Sequence, residues 1–459
     1  MTSDRVLDEL SRVVEAARRC RQPPEVEHAA KRMIMDSVGC ALGAFREQAP
    51  AIARDAAAAR PQPGGCSVLG TRIRTTPEMA AFANGVMIRY LDYNDAYGSV
   101  SGIGHPSDYI PAAMAAAERS GASGAELLAA VSVGYEVFCR LTDATRLGVD
   151  TWDHVVNGAV ASAAAAALLD DLGALATRHA MSLAVTPNFA LQATRLGTLS
   201  MWKGCASANA CRNGVFAAEL AGRGLTGPQA PFDGRGGLFP ITGEEPDMRG
   251  LLRADGRPAI SDCHIKRYPS GYFSQGAIEA AVQARASLRS SQEIERIEIG
   301  TFEFGLRVMA GDSEKWRPAT RETADHSIPF VVACAVAAGD VTSASFRPDV
   351  LADPEIRRLL DRLTVAADAE CAAAWPEACM NKVTLVLTNG ERRSATVRYY
   401  RGHARNPMSD EEVQRKFARQ AAPVLGDTAA GQLATVIWGL DKAGHISELF
   451  DAAATAEDS

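Results

Sequence analysis

The residues best suited to chemistry lie between positions 90 and 108. Asp92, Asn94 and Asp95 stand among Tyr90, Tyr93 and Tyr97, and a stretch carrying Gly98, Gly102 and Gly104 leads back to His105-Pro106-Ser107-Asp108. Carboxylates and an imidazole on one short path are the materials of proton transfer near neutral pH. The same residues also read as two acidic helix caps and a loop histidine. The tyrosines and the glycine path favour a pocket. Trp152-Asp153-His154 is a second acid–base candidate, set before a helix made almost wholly of alanine. Two lysines supply charge. Lys203 precedes an alanine-rich helix, so its ammonium adds to the positive end of the helix dipole, which suits a carboxylate. Lys266 lies in Ile265-Lys266-Arg267-Tyr268-Pro269, which reads equally as a linker between domains. Tyr268, Ser274 and Gln275 are candidates for substrate contact, together with Asn94, Asp95 and Arg235. Arg235 sits in a loop over 226–237 whose length without structure is explained if it lines a site.

These residues need elements to hold them. Thr75 and Thr76 before Pro77 and Glu78 combine a cap, an N1 proline and a capping-box acid. Met79, Phe82, Ala83, Val86, Met87, Tyr90 and Leu91 then recur at helical spacing, and Asp92 falls where that face ends. Ser107 or Asp108 is placed to cap a second helix that stops near Gly121. Ser123 with Glu126, and Ser409 with Glu412, mark two further helix starts. Asp153 is placed to cap a helix whose body is 158–172, with His154 in its first turn. The pattern changes near 261. A helix opens at Gly271 and runs to about 287, 293–304 alternates as a strand, and 383–387 with 394–400 form a hairpin around Asn389-Gly390. The expected architecture is mainly α: a large all-helical domain from both chain ends, 1–265 and 400–459, with an inserted α+β lid over 266–399.

The chain has 459 residues, 47% of them hydrophobic, so a sizeable core is available for one large or two ordinary domains. Its net charge of −7 argues against a nucleic-acid partner. No apolar run approaches the ~18 residues of a membrane helix, and the polar N-terminus carries no signal-peptide core, so a cytoplasmic protein is expected. The 10 cysteines are scattered with no C-x-x-C, and the histidines lack His-x-x-x-His spacing. Both patterns point away from iron–sulfur and helical zinc sites and toward chemistry without metal or organic cofactor.

Leu91-Asp92-Tyr93-Asn94-Asp95 followed by His105-Pro106-Ser107-Asp108 resembles the signature of the MmgE/PrpD family. The resemblance continues through Asp153-His154, Met201-Trp202-Lys203-Gly204, Lys266-Arg267-Tyr268-Pro269, Glu322-Thr323-Ala324-Asp325-His326-Ser327 and Gly402-His403-Ala404-Arg405-Asn406-Pro407, in that order. Ala96 stands where some members have threonine, and Phe273 lies where a histidine is common. Asp325 and Ser327 read equally as helix caps. The resemblance implies a homodimeric lyase with its site between the helical domain and the lid, acting on a small di- or tricarboxylate. Asp92, His105, His154, Lys203 and Lys266 are its expected catalytic residues. A 2-methylcitrate-type dehydratase is the leading expectation; decarboxylation or epimerisation of a related acid such as cis-aconitate or iminodisuccinate is the rival, and an inactive scaffold the third. At this level Asp92→Asn and His154→Ala are both expected to cost turnover rather than stability.

Overall fold

The computed structural model describes residues 4–99, 102–145, 152–253 and 255–455. Helices α1 (Arg5–Arg19), α2 (Pro24–Gly43), α3 (Gln48–Ala58), α4 (Pro77–Tyr90), α5 (Ile110–Ser120), α6 (Gly124–Ala144), α7 (Val155–Leu169), α8 (Ala174–Val185) and α9 (Ala206–Gly222) build the first half. The alanine helix α7 is buried from Val155 through Ala167 and packs among α5, α6, α8 and α9. Small side chains let the backbones approach closely. A Cβ at Gly214 of α9 would collide with Ser162 and with the Ala159 carbonyl. The helices Asp410–Leu425, Asp427–Trp438 and Ser447–Ala453 return to this half, where Lys416 pairs with buried Asp36 of α2 at 2.6 Å. Apolar residues of 6–265 and 408–453 form one core.

A second core gathers residues of 268–400 with Ala96. Its sheet has the order Leu363–Ala367, Ile294–Thr301, Asn381–Leu387, Arg392–Val397; the first pair is parallel and the others antiparallel. Helices Gln275–Ala284 and Ile328–Ala338 pack with it. The chain leaves the first core and re-enters it at adjacent points, where the Ile265 amide donates to the Gly402 carbonyl at 3.0 Å. Gly402 has φ +108°, and a side chain there would meet Ile265. His403 stacks on His264 at 4.2 Å, so the Gly402–Pro407 stretch has a packing role at this crossing.

Several local expectations need correction. Thr76 does not cap α4 through its side chain; its hydroxyl donates to Glu78 instead, at 2.6 Å. Ser107 and Asp108 lie in a 3-10 turn, Pro106–Tyr109, ahead of α5 and are drawn to Asp95 and Asn94 rather than to the helix start. The helix expected from Gly271 begins at Gln275, because the Gly271 amide is taken by the Asp325 carbonyl at 2.8 Å. Residues 61–65 read from sequence as a break in the chain and the glycines around 98–104 as a linker, yet Pro61–Ser67 pairs antiparallel with Arg74–Thr75, and Tyr97–Ser99 with Gly102–Gly104. The loop 226–237 lines no catalytic cavity. Asp4 accepts from the Phe232 and Asp233 amides and Arg5 pairs with Asp233, so the loop is fastened to α1. The capping boxes of Ser123 and Ser409 form as expected.

Candidate active site

Helix α4 ends with Arg89 and Tyr90, and Asp92 follows at φ +50°. Left-handed backbone at a non-glycine residue costs free energy, and aspartate tolerates it better than most. The turn folds the Asp92 carboxylate back on its own helix. Arg89 Nη1 donates to Oδ1 at 2.6 Å, and Lys266 Nζ reaches the same oxygen at 2.6 Å and the Asp92 carbonyl at 2.9 Å. Lys203 Nζ lies 3.4 Å from Oδ2 and His326 Nδ1 3.1 Å from it. Asp92 is fully buried. Burial alone would raise its pKa, but Arg89, Lys266 and Lys203 together hold it well below the carboxylate range. It is an anion that organises cations. Burial pushes the Lys266 ammonium down, and Asp92 opposes this.

Lys203 sits on a 3-10 turn, Met201–Gly204, before α9 and also pairs with Asp325. Asp325 follows the short helix Arg321–Ala324, and its carboxylate accepts from His326 Nδ1 at 2.7 Å. Ser327, by contrast, does cap the next helix, accepting from the Phe330 amide at 3.0 Å. Asp325, read from sequence as a possible cap, therefore belongs to the charged cluster, and His326 joins it. Sequence reasoning quoted both residues without assigning them to the site.

Three imidazoles share one arrangement. His105 Nδ1 donates to the Asp95 carbonyl at 2.7 Å, His154 Nδ1 faces Asp153 at 2.8 Å, and His326 Nδ1 faces Asp325 and Asp92. Each acceptor fixes the Nδ1–H tautomer, which leaves the Nε2 lone pair. All three rings line one cavity of about 120 Å³, and the rings of His105 and His154 are 5.5 Å apart. Burial, with Arg89 and Lys266 nearby, holds His105 well below its ordinary pKa. Burial and Lys203 push His326 down to about 4. Asp153 is kept ionised against its burial by Arg195, whose Nε lies 2.9 Å away, and by His154. Arg89 and Arg195 also line the cavity, and neither was singled out from sequence. A lone arginine carries no spacing signal. The opposite wall is apolar: Ile103, Tyr272, Phe273, Phe304, Val308 and Met309. Gly104 lets the chain before His105 pack close on Phe138, since a Cβ there would press on the Phe138 ring at 2.5 Å.

The other sequence candidates fall in a supporting layer. Asn94 Nδ2 donates to Ser107 Oγ at 2.8 Å and Asp108 Oδ1 at 2.9 Å. Asp95 accepts from the Ser107 amide at 3.0 Å and from Tyr135 at 2.6 Å, and burial raises it to about 7. Both residues brace the His105 loop and do not line the cavity. Gln275 clamps the backbone of Tyr268 and Ser270, while Ser274 bonds Ser270 at 2.6 Å. Tyr268 is buried in the second core. Arg235 is exposed on the loop tied to α1, so the structure does not bring it to the cavity. Ala96 is buried and pairs with His264 through the backbone, whereas Phe273 faces the cavity. Lys315 was also missed. It is 1% exposed, its ammonium has no partner among the described residues, and burial with Lys203 pushes it down to about 8.

Among the described residues, one trio of metal-type ligands is close enough to share a cation: Asp92, Asp325 and His326. Lys203, Lys266 and Arg89 already engage its carboxylates. Three positive charges at these distances repel a divalent ion, so the donor set suits ammonium and guanidinium rather than metal.

A two-core, mainly helical chain places anchored imidazoles and buried cations around one small cavity, groups able to transfer protons and to hold an anion. Residues 8–250 match the MmgE/PrpD N-terminal domain and residues 268–442 the MmgE/PrpD C-terminal domain. The chain belongs to the MmgE/PrpD family. It is 30% identical to a 2-methylcitrate dehydratase of Escherichia coli K12 over 84% of this chain and 85% of that protein. A Cupriavidus necator 2-methylcitrate dehydratase is 28% identical over 86% of each chain. The human cis-aconitate decarboxylase is 26% identical over 90% of this chain and 87% of its own. Among the described residues no helix is long and apolar enough to cross a membrane.

Proposed function

We propose that this chain is a cofactor-free lyase of a small di- or tricarboxylate, most closely a 2-methylcitrate-type dehydratase. The observation that carries the reading is a set of buried donors and lone pairs left unfilled around one cavity. Among the described residues Arg195 Nη2 and His154 Nε2 lack a hydrogen-bond partner, Arg89 Nε has only the Asp108 carboxylate 3.8 Å away, and all three residues line that cavity. An unfilled buried donor is costly, and a carboxylate-rich substrate fills it. In this reading the two guanidinium groups hold substrate carboxylates. His105, kept neutral by its surroundings, takes the α-proton at Nε2. In its protonated form His154 delivers a proton from Nε2 to the leaving hydroxyl, with the Asp153 carboxylate 2.8 Å from its Nδ1. The buried lysines lower the energy of the carbanion-like charge that develops between these steps. Asp92 acts by holding those cations in place, not as the base.

The reading includes a division into a helical domain, 1–265 with 400–459, and a lid, 266–399, that face each other across the cavity. It also includes a homodimer, to be checked by sedimentation. Incubating the protein with 2-methylcitrate, citrate, cis-aconitate and iminodisuccinate, with products followed by NMR, tests the activity. Loss of water from 2-methylcitrate is expected; release of carbon dioxide or epimerisation instead would overturn the dehydratase assignment. The rate is expected to survive exhaustive chelation, and activity lost on chelation and restored by one metal would sink the cofactor-free mechanism.

A further inference from the structure

A second, larger cavity of about 660 Å³ opens where Glu47, Gln48 and Tyr90 of the first half meet the segment 317–360. Its size lies within the range of small-molecule sites. Arg317, Arg321, Arg347 and Arg357 line it against a single acid, Glu47, in a protein whose net charge is −7. Two of these arginines hold only exposed pairs, Arg317 with Asp361 at 2.8 Å and Arg347 with Asp349 at 2.7 Å. Such pairs contribute little and exchange readily. Arg357 has no side-chain partner among the described residues.

Arg321 is the informative residue. Its side chain is 10% exposed, and its guanidinium lies 5.1 Å from the Phe346 ring and 5.7 Å from the Tyr90 ring. Nη1 reaches the Ser343 carbonyl at 3.4 Å and stands 3.7 Å from Glu47. Nε and Nη2 have no acceptor among the described residues. These two N–H groups form the edge with which a guanidinium grips a phosphate or carboxylate in bidentate fashion. Phe330, Phe346, Leu351 and Leu360 give the cavity an apolar surface beside the charge. A ligand matching it carries a multivalent oxyanion and an uncharged, flat part.

We propose that this cavity is a second ligand site, separate from the catalytic one, that takes a phosphorylated small molecule of nucleotide type and couples its binding to the catalytic cluster. The coupling follows from connectivity. Arg321 begins the short helix Arg321–Ala324, which leads directly into Asp325 and His326. Tyr90 is the neighbour of Arg89, and its hydroxyl bonds Glu322 at 3.1 Å. A ligand drawn onto Arg321 therefore bears on residues from both cores that hold Asp92 and Asp325.

Calorimetric titration of the intact protein with ATP, pyrophosphate and citrate tests the site without any need for turnover. ATP and pyrophosphate are expected to bind saturably. Arg321→Met and, on the exposed rim, Arg357→Glu are expected to weaken that binding by about tenfold or more, the scale of one charge-assisted hydrogen bond. Arg357→Glu keeps its melting temperature and its ligand-free turnover, so its effect is not one of folding. Amide exchange over 321–328 is expected to slow when ATP binds. Absence of saturable binding by both phosphate probes, or affinities unchanged in Arg357→Glu, would overturn the site. Citrate binding as tight as that of ATP and lost in Arg357→Glu would overturn the phosphate class. Unchanged exchange at 321–328 would overturn the coupling. The binding arms are independent of the lyase reading, so the two proposals fail separately.

Discussion

Asp92 and His154 both looked like acid–base residues in the sequence, and their surroundings now separate them. His154 has a free Nε2 on the cavity, whereas Asp92 is the counter-ion of three buried cations. Removing the charge of Asp92 leaves Lys266 without a carboxylate and weakens the hold on Arg89 and Lys203, so Asp92→Asn should cost about 3–5 kcal/mol of stability, the usual scale for breaking a buried pair. This revises the expectation that it would spare the fold. His154→Ala should lower turnover by ~10²-fold or more and leave the melting temperature nearly unchanged. Thermal melts beside kinetics on the true substrate check the contrast; a stable Asp92→Asn protein would mean that the cluster is not held by that charge. Lys315 gives a pH-dependent test. Its folded-state pKa is about 8 against an ordinary 10.5, so the unfolded chain binds the extra proton between those values. Stability from this group therefore rises as pH climbs through that window, and the burial cost is fully present below pH 8. That cost is on the order of 3 kcal/mol. Lys315→Met should thus melt higher than the parent at pH 7, with the advantage fading toward pH 10. An advantage independent of pH would show that the gain comes from packing alone.

The elements carrying the cluster were legible in the sequence to different degrees. Helix α4 and the alanine helix α7 follow from apolar spacing and composition, and the Ser123 and Ser409 boxes follow from local chemistry. The hairpin Tyr97–Ser99 with Gly102–Gly104 did not, because its pairing depends on Phe138 and His264 far along the chain. Arg89 and Arg195 were invisible for the same reason: their meaning comes from which carboxylates the fold brings beside them. Asp325 looked like a cap because a polar residue before an apolar helix usually is one; Ser327 performs that task and frees Asp325 for Lys203. A prediction follows at this scale. Lys203 comes from the turn before α9 and Lys266 from the crossing between cores, yet both reach Asp92. Residues sharing a partner do not act independently. In a double-mutant cycle of Lys203→Ala and Lys266→Ala, the loss of polycarboxylate binding in the double variant should be smaller than the sum of the singles. Strict additivity would place the lysines in separate tasks.

At the scale of the whole molecule, the proposed division is a helical unit drawn from both chain ends with a segment inserted between them. The apolar contacts divide accordingly, one core from 6–265 and 408–453, another from 268–400. Around the cavity the two cores also meet through charged side chains: Lys203 from the first, Asp325 and His326 from the second, and Lys266 from the crossing between them, gathered about Asp92. A contact of this kind is weaker per unit area than an apolar core, and such an arrangement permits relative motion. The insertion leaves and returns at neighbouring points, since the Ile265 amide bonds the Gly402 carbonyl at 3.0 Å, so its excision requires only a short bridge. Loop-closure entropy favours a short linker over the long natural insertion. Replacing 268–399 by a brief glycine–serine linker should therefore give a soluble, cooperatively melting helical protein. That protein should have no turnover, because His326 and the apolar wall at Phe273 and Phe304 leave with the insertion. Lys203 should lose its second carboxylate and Asp92 should become accessible to solvent. Circular dichroism, a thermal melt and a turnover assay read all of this. A molten or aggregated product would show that the helical half depends on the insertion for its core, and residual turnover would show that the reaction does not use the cavity between them.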